Sequence, residues 1–324
     1  MSIFTAICNR DFRKVQRIVK TNPKCVNIKN KCQWTPLDVA IAEGKLKIAQ
    51  FLFEKGGRPN LKNYRSNKCI TTPVSDAAYL EDTATLEWVF TEKILPLRVL
   101  NIKTKHKKST PLDIAIRSGN LEMAQFLFEK GGRPNLEKYR DKKWNPVLPT
   151  KYFRHRQHAA TLKWAFTEKV LPLSALNHKN WRNWTPLDNA IAFGKTEIAQ
   201  CLWEMGGRPN LDEYCNGKYT PVHHTTDFNH RPTLKWIFTE KVLPPGVLNL
   251  KDYVGRTPLY LVNCWNWKTK TFFQRLIHVD PVFLAMQRAK RDHECVLRRL
   301  PNELLDMVVD EVASRFHLVV EWYE

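Results

Sequence analysis

The chain has 324 residues, 43% apolar and 26% charged, and its 52 Lys and Arg against 32 Asp and Glu give a formal charge of +20. This length and composition exclude a disordered tail and fit two ordinary domains or one elongated array. No apolar run approaches the roughly 20 residues of a bilayer-spanning helix. The first ten residues lack the basic and long apolar regions of a signal peptide, and eight cysteines without a Cys-x-x-Cys pair read as reduced thiols. A soluble cytoplasmic or nuclear protein without membrane contact is expected.

Internal similarity organises the chain. Thr35-Pro-Leu-Asp-Val-Ala-Ile-Ala-Glu-Gly44 returns as Thr110-Pro-Leu-Asp-Ile-Ala-Ile-Arg-Ser-Gly119 and Thr185-Pro-Leu-Asp-Asn-Ala-Ile-Ala-Phe-Gly194, a period of 75 residues. Each copy runs on into a second shared stretch, Ile48 to Asn60, Met123 to Asn135 and Ile198 to Asn210. A further block, Thr85 to Pro96, recurs at Thr161 to Pro172 and Thr233 to Pro244. With Pro-headed starts near 35, 72, 110, 145, 185, 220 and 257, the pattern predicts an array of helical hairpins.

Each Thr-Pro-Leu-Asp head carries its own folding signal. Thr is a good N-cap, Pro suits the first helical position, and Asp three residues after Thr closes a capping box. Leu37, Ala40 and Ile41 lie at helical spacing, and Gly44 ends that short helix. A second helix is predicted from about Lys45 to Lys55, with Leu46, Ile48, Ala49, Phe51, Leu52 and Phe53 buried between neighbours on both sides. Gly56-Gly57 supplies a C-cap and Pro59 prevents continuation. Trp88, Trp164, Trp203 and Trp236, in second helices, are expected in the core.

These residues resemble the ankyrin repeat, with its Thr-Pro-Leu-His-x-Ala head, inter-helix Gly and Pro-Asn exit; Asp38, Asp113 and Asp188 stand where that family has His. The resemblance implies an all-α ankyrin-repeat solenoid of about eight helical-hairpin units over residues 1–278, opening on a headless unit with Asn9-Arg10-Asp11 at its turn and closing on one headed by Thr257. Units at 72, 145 and 220 match less well, and their first helices (74–82, 147–160, 222–232) are expected to be irregular. The resemblance further implies a protein-binding concave face built from first helices and inter-unit fingers.

Those fingers hold 16 Lys and Arg against two acids, Asp141 and Asp252. A basic, aromatic-studded edge suits a protein target with an acidic surface, drawn in by long-range attraction and anchored by Trp and Tyr. The candidate target-binding residues are Lys103, Lys105, Lys107, Lys108, Arg140, Lys142, Lys143, Trp144, Lys179, Trp181, Arg182 and Tyr253. Nucleic acid ranks behind protein as a partner. The alternative is a solvated edge in which Trp34, Trp144 and Trp184 merely pack on neighbouring fingers.

Nothing in the sequence points to catalysis. His155, His158, His223, His224, His230 and His293-Glu294 lack zinc-site spacing, and no nucleophile pairs with a base, so no enzyme, metal or cofactor is expected.

After a helical connector (279–296), residues 297–324 change character: positions 301–324 hold six acids and one base, net −5, leaving +25 on the rest. Leu300, Pro301, Leu304, Leu305, Val308 and Val309 lie at helical spacing and resemble the opening of an F-box, a shortened, poxvirus PRANC-like form. That resemblance implies docking on a Skp-type adaptor of a cullin ubiquitin ligase and action inside a host cell. The alternative is an amphipathic helix that caps the open end of the array, leaving a scaffold or inhibitor acting by occupancy alone.

Overall fold

A computed structural model of the chain describes residues 2–64, 71–105, 108–137, 158–214 and 219–263. The candidate adaptor-binding residues from Leu300 to Val309 lie outside the described residues, as do Lys107, Arg140, Lys142, Lys143 and Trp144. Among the described residues every regular element is helical, and no strand forms. They fall into two compact units, the first ending at Leu173 and the second starting at Ser174.

The first unit opens on the hairpin α1 (Ile3–Cys8) and α2 (Phe12–Thr21). It continues with α3 (Pro36–Ala42), α4 (Leu46–Glu54), the single turn α5 (Leu61–Tyr64), α6 (Pro73–Tyr79), α7 (Thr83–Thr91), α8 (Pro111–Ser118), α9 (Leu121–Glu129) and α10 (His158–Thr167). The second unit comprises α11 (Pro186–Ala192), α12 (Thr196–Glu204), the turn α13 (Leu211–Tyr214), α14 (Pro221–Asp227), α15 (Arg231–Thr239) and α16 (Pro258–Asn263).

Helices of seven or eight residues are too short to stand alone in water, so caps and packing hold them. Thr35 Oγ1 accepts the Asp38 N–H at 3.3 Å while Asp38 Oδ2 accepts the Thr35 N–H at 2.9 Å. The same reciprocal box closes at Thr110/Asp113 and Thr185/Asp188, each cap contributing about 1 kcal/mol.

The expected irregularity at 74–82 and 222–232 is not found: α6 and α14 are regular and capped. Ser75 Oγ accepts the Thr72 N–H at 2.8 Å, and His223 Nδ1 accepts the Thr220 N–H at 3.2 Å. The box therefore closes with Asp, Ser or His at its third position. The 147–157 part of the remaining weak segment lies outside the described residues, and 158–160 belong to α10.

Within each unit the first helices form one layer. Leu37, Ala40 and Ile41 are fully buried because α3 lies against both α1 and α6, as α14 lies against both α11 and α16. Second helices form the other layer, and they bury one face rather than two. Ile48, Ala49 and Leu52 are buried, whereas Leu46, Phe51 and Phe53 are only half-buried.

The outer face is an aromatic ridge. Phe51 meets Phe12 edge-on at 5.6 Å, Phe53 meets Trp88 at 6.0 Å, and Phe128 meets Trp164 at 5.8 Å. Of the four tryptophans expected in the core only Trp236 is buried; Trp88, Trp164 and Trp203 are half-buried. A large ring here shields its neighbour's edge from water without entering the densely packed interior.

The Gly-Gly-Arg-Pro-Asn exits complete each hairpin. The Gly57 N–H reaches back to Leu52 O at 2.8 Å, and Asn27, from the preceding turn, clamps the exit by donating to Gly56 O and accepting the Arg58 N–H. Arg58 then lies 4.7 Å from the Phe53 ring centre and donates to Gly57 O at 2.8 Å. Arg208 does the same over Trp203 at 4.4 Å. These arginines hold the hairpin's end together.

Candidate target-binding surface

Four fingers are closed at the base by a backbone bond: Asn30 N–H to Trp34 O, Thr104 to Ser109, Asn180 to Trp184 and Asp252 to Arg256, all between 2.8 and 3.0 Å. A following residue then ties it down, since Asn60 Nδ2 donates to Gln33 O at 2.8 Å and Asn210 Nδ2 to Asn183 O at 2.8 Å.

Beneath the fingers the capping aspartates act as hubs. Asp188 accepts from Thr185 N–H, Thr185 Oγ1, Asn210 N–H and the Tyr214 hydroxyl, at 2.9 to 3.0 Å. Asp38 accepts the same set from Thr35, Asn60 and Tyr64. Both carboxylates are fully buried, and among the described residues neither has a cation as partner. Burial therefore pushes Asp188 up to about 6 against the pull of its four donors, and raises Asp38 as well. Both pairs, Asp38/Tyr64 and Asp188/Tyr214, lie 26 residues apart, a constant spacing in the sequence that the repeat period alone does not single out.

His223 fills the same hub with different chemistry. Its Nδ1 accepts from Thr220, so the proton sits on Nε2 and is donated to Arg256 O at 3.1 Å, fastening the last described finger. Burial lowers its pKa, which keeps the ring neutral in this role.

The candidate residues fall on both units. In the first, Lys105 and Lys108 are exposed, while Lys103 pairs with Glu137 at 3.3 Å on the surface, a contact worth little in stability. In the second, Lys179 and Arg182 are exposed, Trp181 is 65% exposed and Tyr253 77% exposed. Trp184 is buried to 3%, so this tryptophan belongs to the finger's own packing.

Within the second unit, Trp181, Arg182 and Tyr253 converge on one open cavity of about 620 Å³, whose walls also include Trp184, Tyr219, Asp227 and Arg256. The finger tip is preset, because the buried Asn180 Oδ1 accepts the N–H groups of both Arg182 (2.7 Å) and Trp184 (3.0 Å). Arg182 stacks 4.6 Å from the Trp181 ring centre and 5.1 Å from that of Trp184. Arg256 is held by Asp252, with Nε and an Nη at 3.0 and 2.9 Å from Oδ2, and Tyr219 donates to Asp227 Oδ2 at 2.7 Å. An adjoining cluster carries exposed Phe228 stacked 4.6 Å from His224, whose Nδ1 donates to Ala192 O. Sequence reading did not place Asp227 or Arg256 in a site.

Within each unit, capped helical hairpins in two layers make an all-α fold of the ankyrin-repeat type. Two segments match the ankyrin repeat family, residues 32–64 and 107–136, which correspond to the α3–α4 and α8–α9 hairpins. The chain therefore contains ankyrin repeats, which generally serve as protein–protein interaction modules.

It is 30% identical over 114 residues to the phosphocholine transferase AnkX of Legionella pneumophila, a match spanning 35% of this chain but only 12% of that protein. It is 25% identical over 202 residues to the probable 26S proteasome regulatory subunit p28 of Saccharomyces cerevisiae, covering 62% of this chain and 83% of that one. Among solved structures, the human ASB11 ankyrin repeat domain aligns over 85% of this chain and 96% of its own with 13% identity and a TM-score of 0.44. An Acinetobacter baumannii ankyrin repeat domain aligns over 63% and 97% with 18% identity and a TM-score of 0.40. Among the described residues no helix is long and apolar enough to cross a membrane.

Proposed function

We propose that this chain is a non-enzymatic protein-interaction protein whose finger edge holds a target with an acidic surface. The reading rests on one observation: Trp181 and Arg182 of one finger and Tyr253 of another, all exposed, line a single cavity. Exposed aromatics beside a cation in a concave site are the composition of interface hot spots. Lys105, Lys108 and Lys179 add an exposed positive edge that speeds encounter with an acidic partner.

In this proposal Lys107, Arg140, Lys142, Lys143 and Trp144 extend the edge. Leu300, Pro301, Leu304, Leu305, Val308 and Val309 recruit a Skp-type adaptor of a cullin ubiquitin ligase in the cytoplasm or nucleus of a host cell. The test is co-capture of adaptor and target by the full chain. Leu300→Ala with Pro301→Ala and Leu304→Asp is expected to abolish adaptor capture and keep the target, while Glu at Lys105, Lys107, Lys142 and Lys143 slows target association. Failure of the wild-type chain to capture an adaptor removes the ligase reading and leaves binding by occupancy.

A further inference from the structure

We infer that the cavity of the second unit is a carboxylate socket, in which Arg182 receives an Asp or Glu side chain of an acidic peptide segment while Trp181 and Tyr253 cover the adjoining residue; this rests on the protein-interaction reading above and makes its anchor specific. The two cations that line the cavity are not equivalent. Arg256 is committed to Asp252 through two nitrogens and to the finger it closes, so its charge is met within the protein. Arg182 has no carboxylate partner among the described residues, and its backbone N–H, not its guanidinium, is what Asn180 secures.

Stacking on Trp181 and Trp184 orients the guanidinium by its faces and leaves its in-plane N–H groups as donors. A planar fork held this way matches a carboxylate through two parallel hydrogen bonds, and stacking has already removed much of the side-chain freedom that binding would otherwise cost. The opposing charge in the cavity is Asp227, which would repel an incoming acid. Its Oδ2 already accepts the Tyr219 hydroxyl, and it forms no ion pair with Arg182. The ligand's carboxylate is therefore assigned to the Arg182 side of the cavity, with its apolar neighbour against Trp181 and Tyr253.

Selection for a side chain flanked by bulk follows from the lining. Trp181 and Tyr253 stand 65% and 77% exposed, and an aromatic or aliphatic neighbour of the acid would cover them. A bare anion such as free phosphate would leave that surface wet.

The test uses the full chain and two fluorescein-labelled peptides, Gly-Glu-Glu-Phe-Glu-Glu-Gly and the same sequence with Gln for Glu, followed by anisotropy at fixed low salt. The wild type should prefer the Glu peptide by about tenfold or more, the scale of one bidentate charge-assisted pair. Arg182→Gln should lose most of that preference and bind the Gln peptide as the wild type does; Lys235→Gln, at an exposed lysine of α15 outside the cavity, should keep most of it. A full preference for Glu retained in Arg182→Gln overturns the socket alone and moves the acid site to the lysine-rich fingers, whose reversal would then abolish it. No preference in the wild-type chain overturns the socket and the acidic-target reading together.

Discussion

The Tyr214 hydroxyl donates to Asp188 Oδ1 at 2.9 Å, joining the start of one hairpin to the turn that follows it 26 residues later. Burial raises the folded pKa of Asp188 from 3.8 to about 6, so the proton binds the folded form more tightly than the unfolded one. The stability this group contributes is complete below about pH 4 and is lost as pH rises through about 6, some 3 kcal/mol over that window. Tyr214 offsets part of the loss by serving the charged form. Tyr214→Phe is expected to destabilise the second unit by about 1–3 kcal/mol at pH 7.5 and by clearly less at pH 4.5. Urea unfolding at both values reads this directly, and an equal cost at both would mean that Asp188 does not change charge between them.

His223 titrates in the opposite sense. Its folded pKa is lowered by burial, so its stabilising contribution is present above the ordinary value of about 6.5 and is lost as pH falls below it. Protonation of Nδ1 would set a donor against the Thr220 N–H that it now accepts. His223→Ala should cost about 2 kcal/mol or more at pH 7.5, since it strands the buried Thr220 N–H and removes one of the two donors to Arg256 O. An NMR titration in which the His223 ring charges above pH 6.5 would contradict the assignment.

The fold was legible because its signals are local and repeated: Thr, Pro and the third-position acceptor start each helix, and Gly ends it. The errors came from reading those signals too literally. Segments beginning at Val74 and Val222 lack the Asp, yet Ser75 and His223 supply the same acceptor. The second helices looked apolar all round because Phe51, Phe53 and Trp88 stack along an outer ridge, and a sequence shows hydrophobicity but not which rings face solvent. In the candidate site, Trp181, Arg182 and Tyr253 were visible as exposed finger residues. Their meeting with Asp227 and Arg256 depends on packing between successive hairpins, which no local pattern encodes.

Gly194 separates two roles of glycine that the sequence merges. It sits at φ +64, as its counterpart Gly44 does at +62, and a Cβ there would run into the His230 ring. Gly206 also has a left-handed φ, +94, but open space around it. Gly206→Ala should therefore cost only the backbone term of about 1–2 kcal/mol, and Gly194→Ala should cost that plus about 1–3 kcal/mol for displacing a neighbouring hairpin. Equal melting temperatures for the two variants would show that His230 moves aside freely.

Leu112, in α8, is fully buried, and α8 packs against both α6 and α9. Leu112→Asp places an unpaired carboxylate where no donor waits, at a cost of several kcal/mol, enough to exceed much of the stability of an ordinary domain. Because each hairpin of a stacked array is held by its neighbours, the damage should spread: hydrogen exchange is expected to accelerate in α6 and α9 as well as in α8. Leu136→Asp is the matched control, since Leu136 is 49% exposed and a surface change of this kind stays within about 0.5 kcal/mol. Unchanged protection in α6 and α9 after Leu112→Asp would mean that hairpins of the first unit fold independently, and the cooperative array would have to be abandoned.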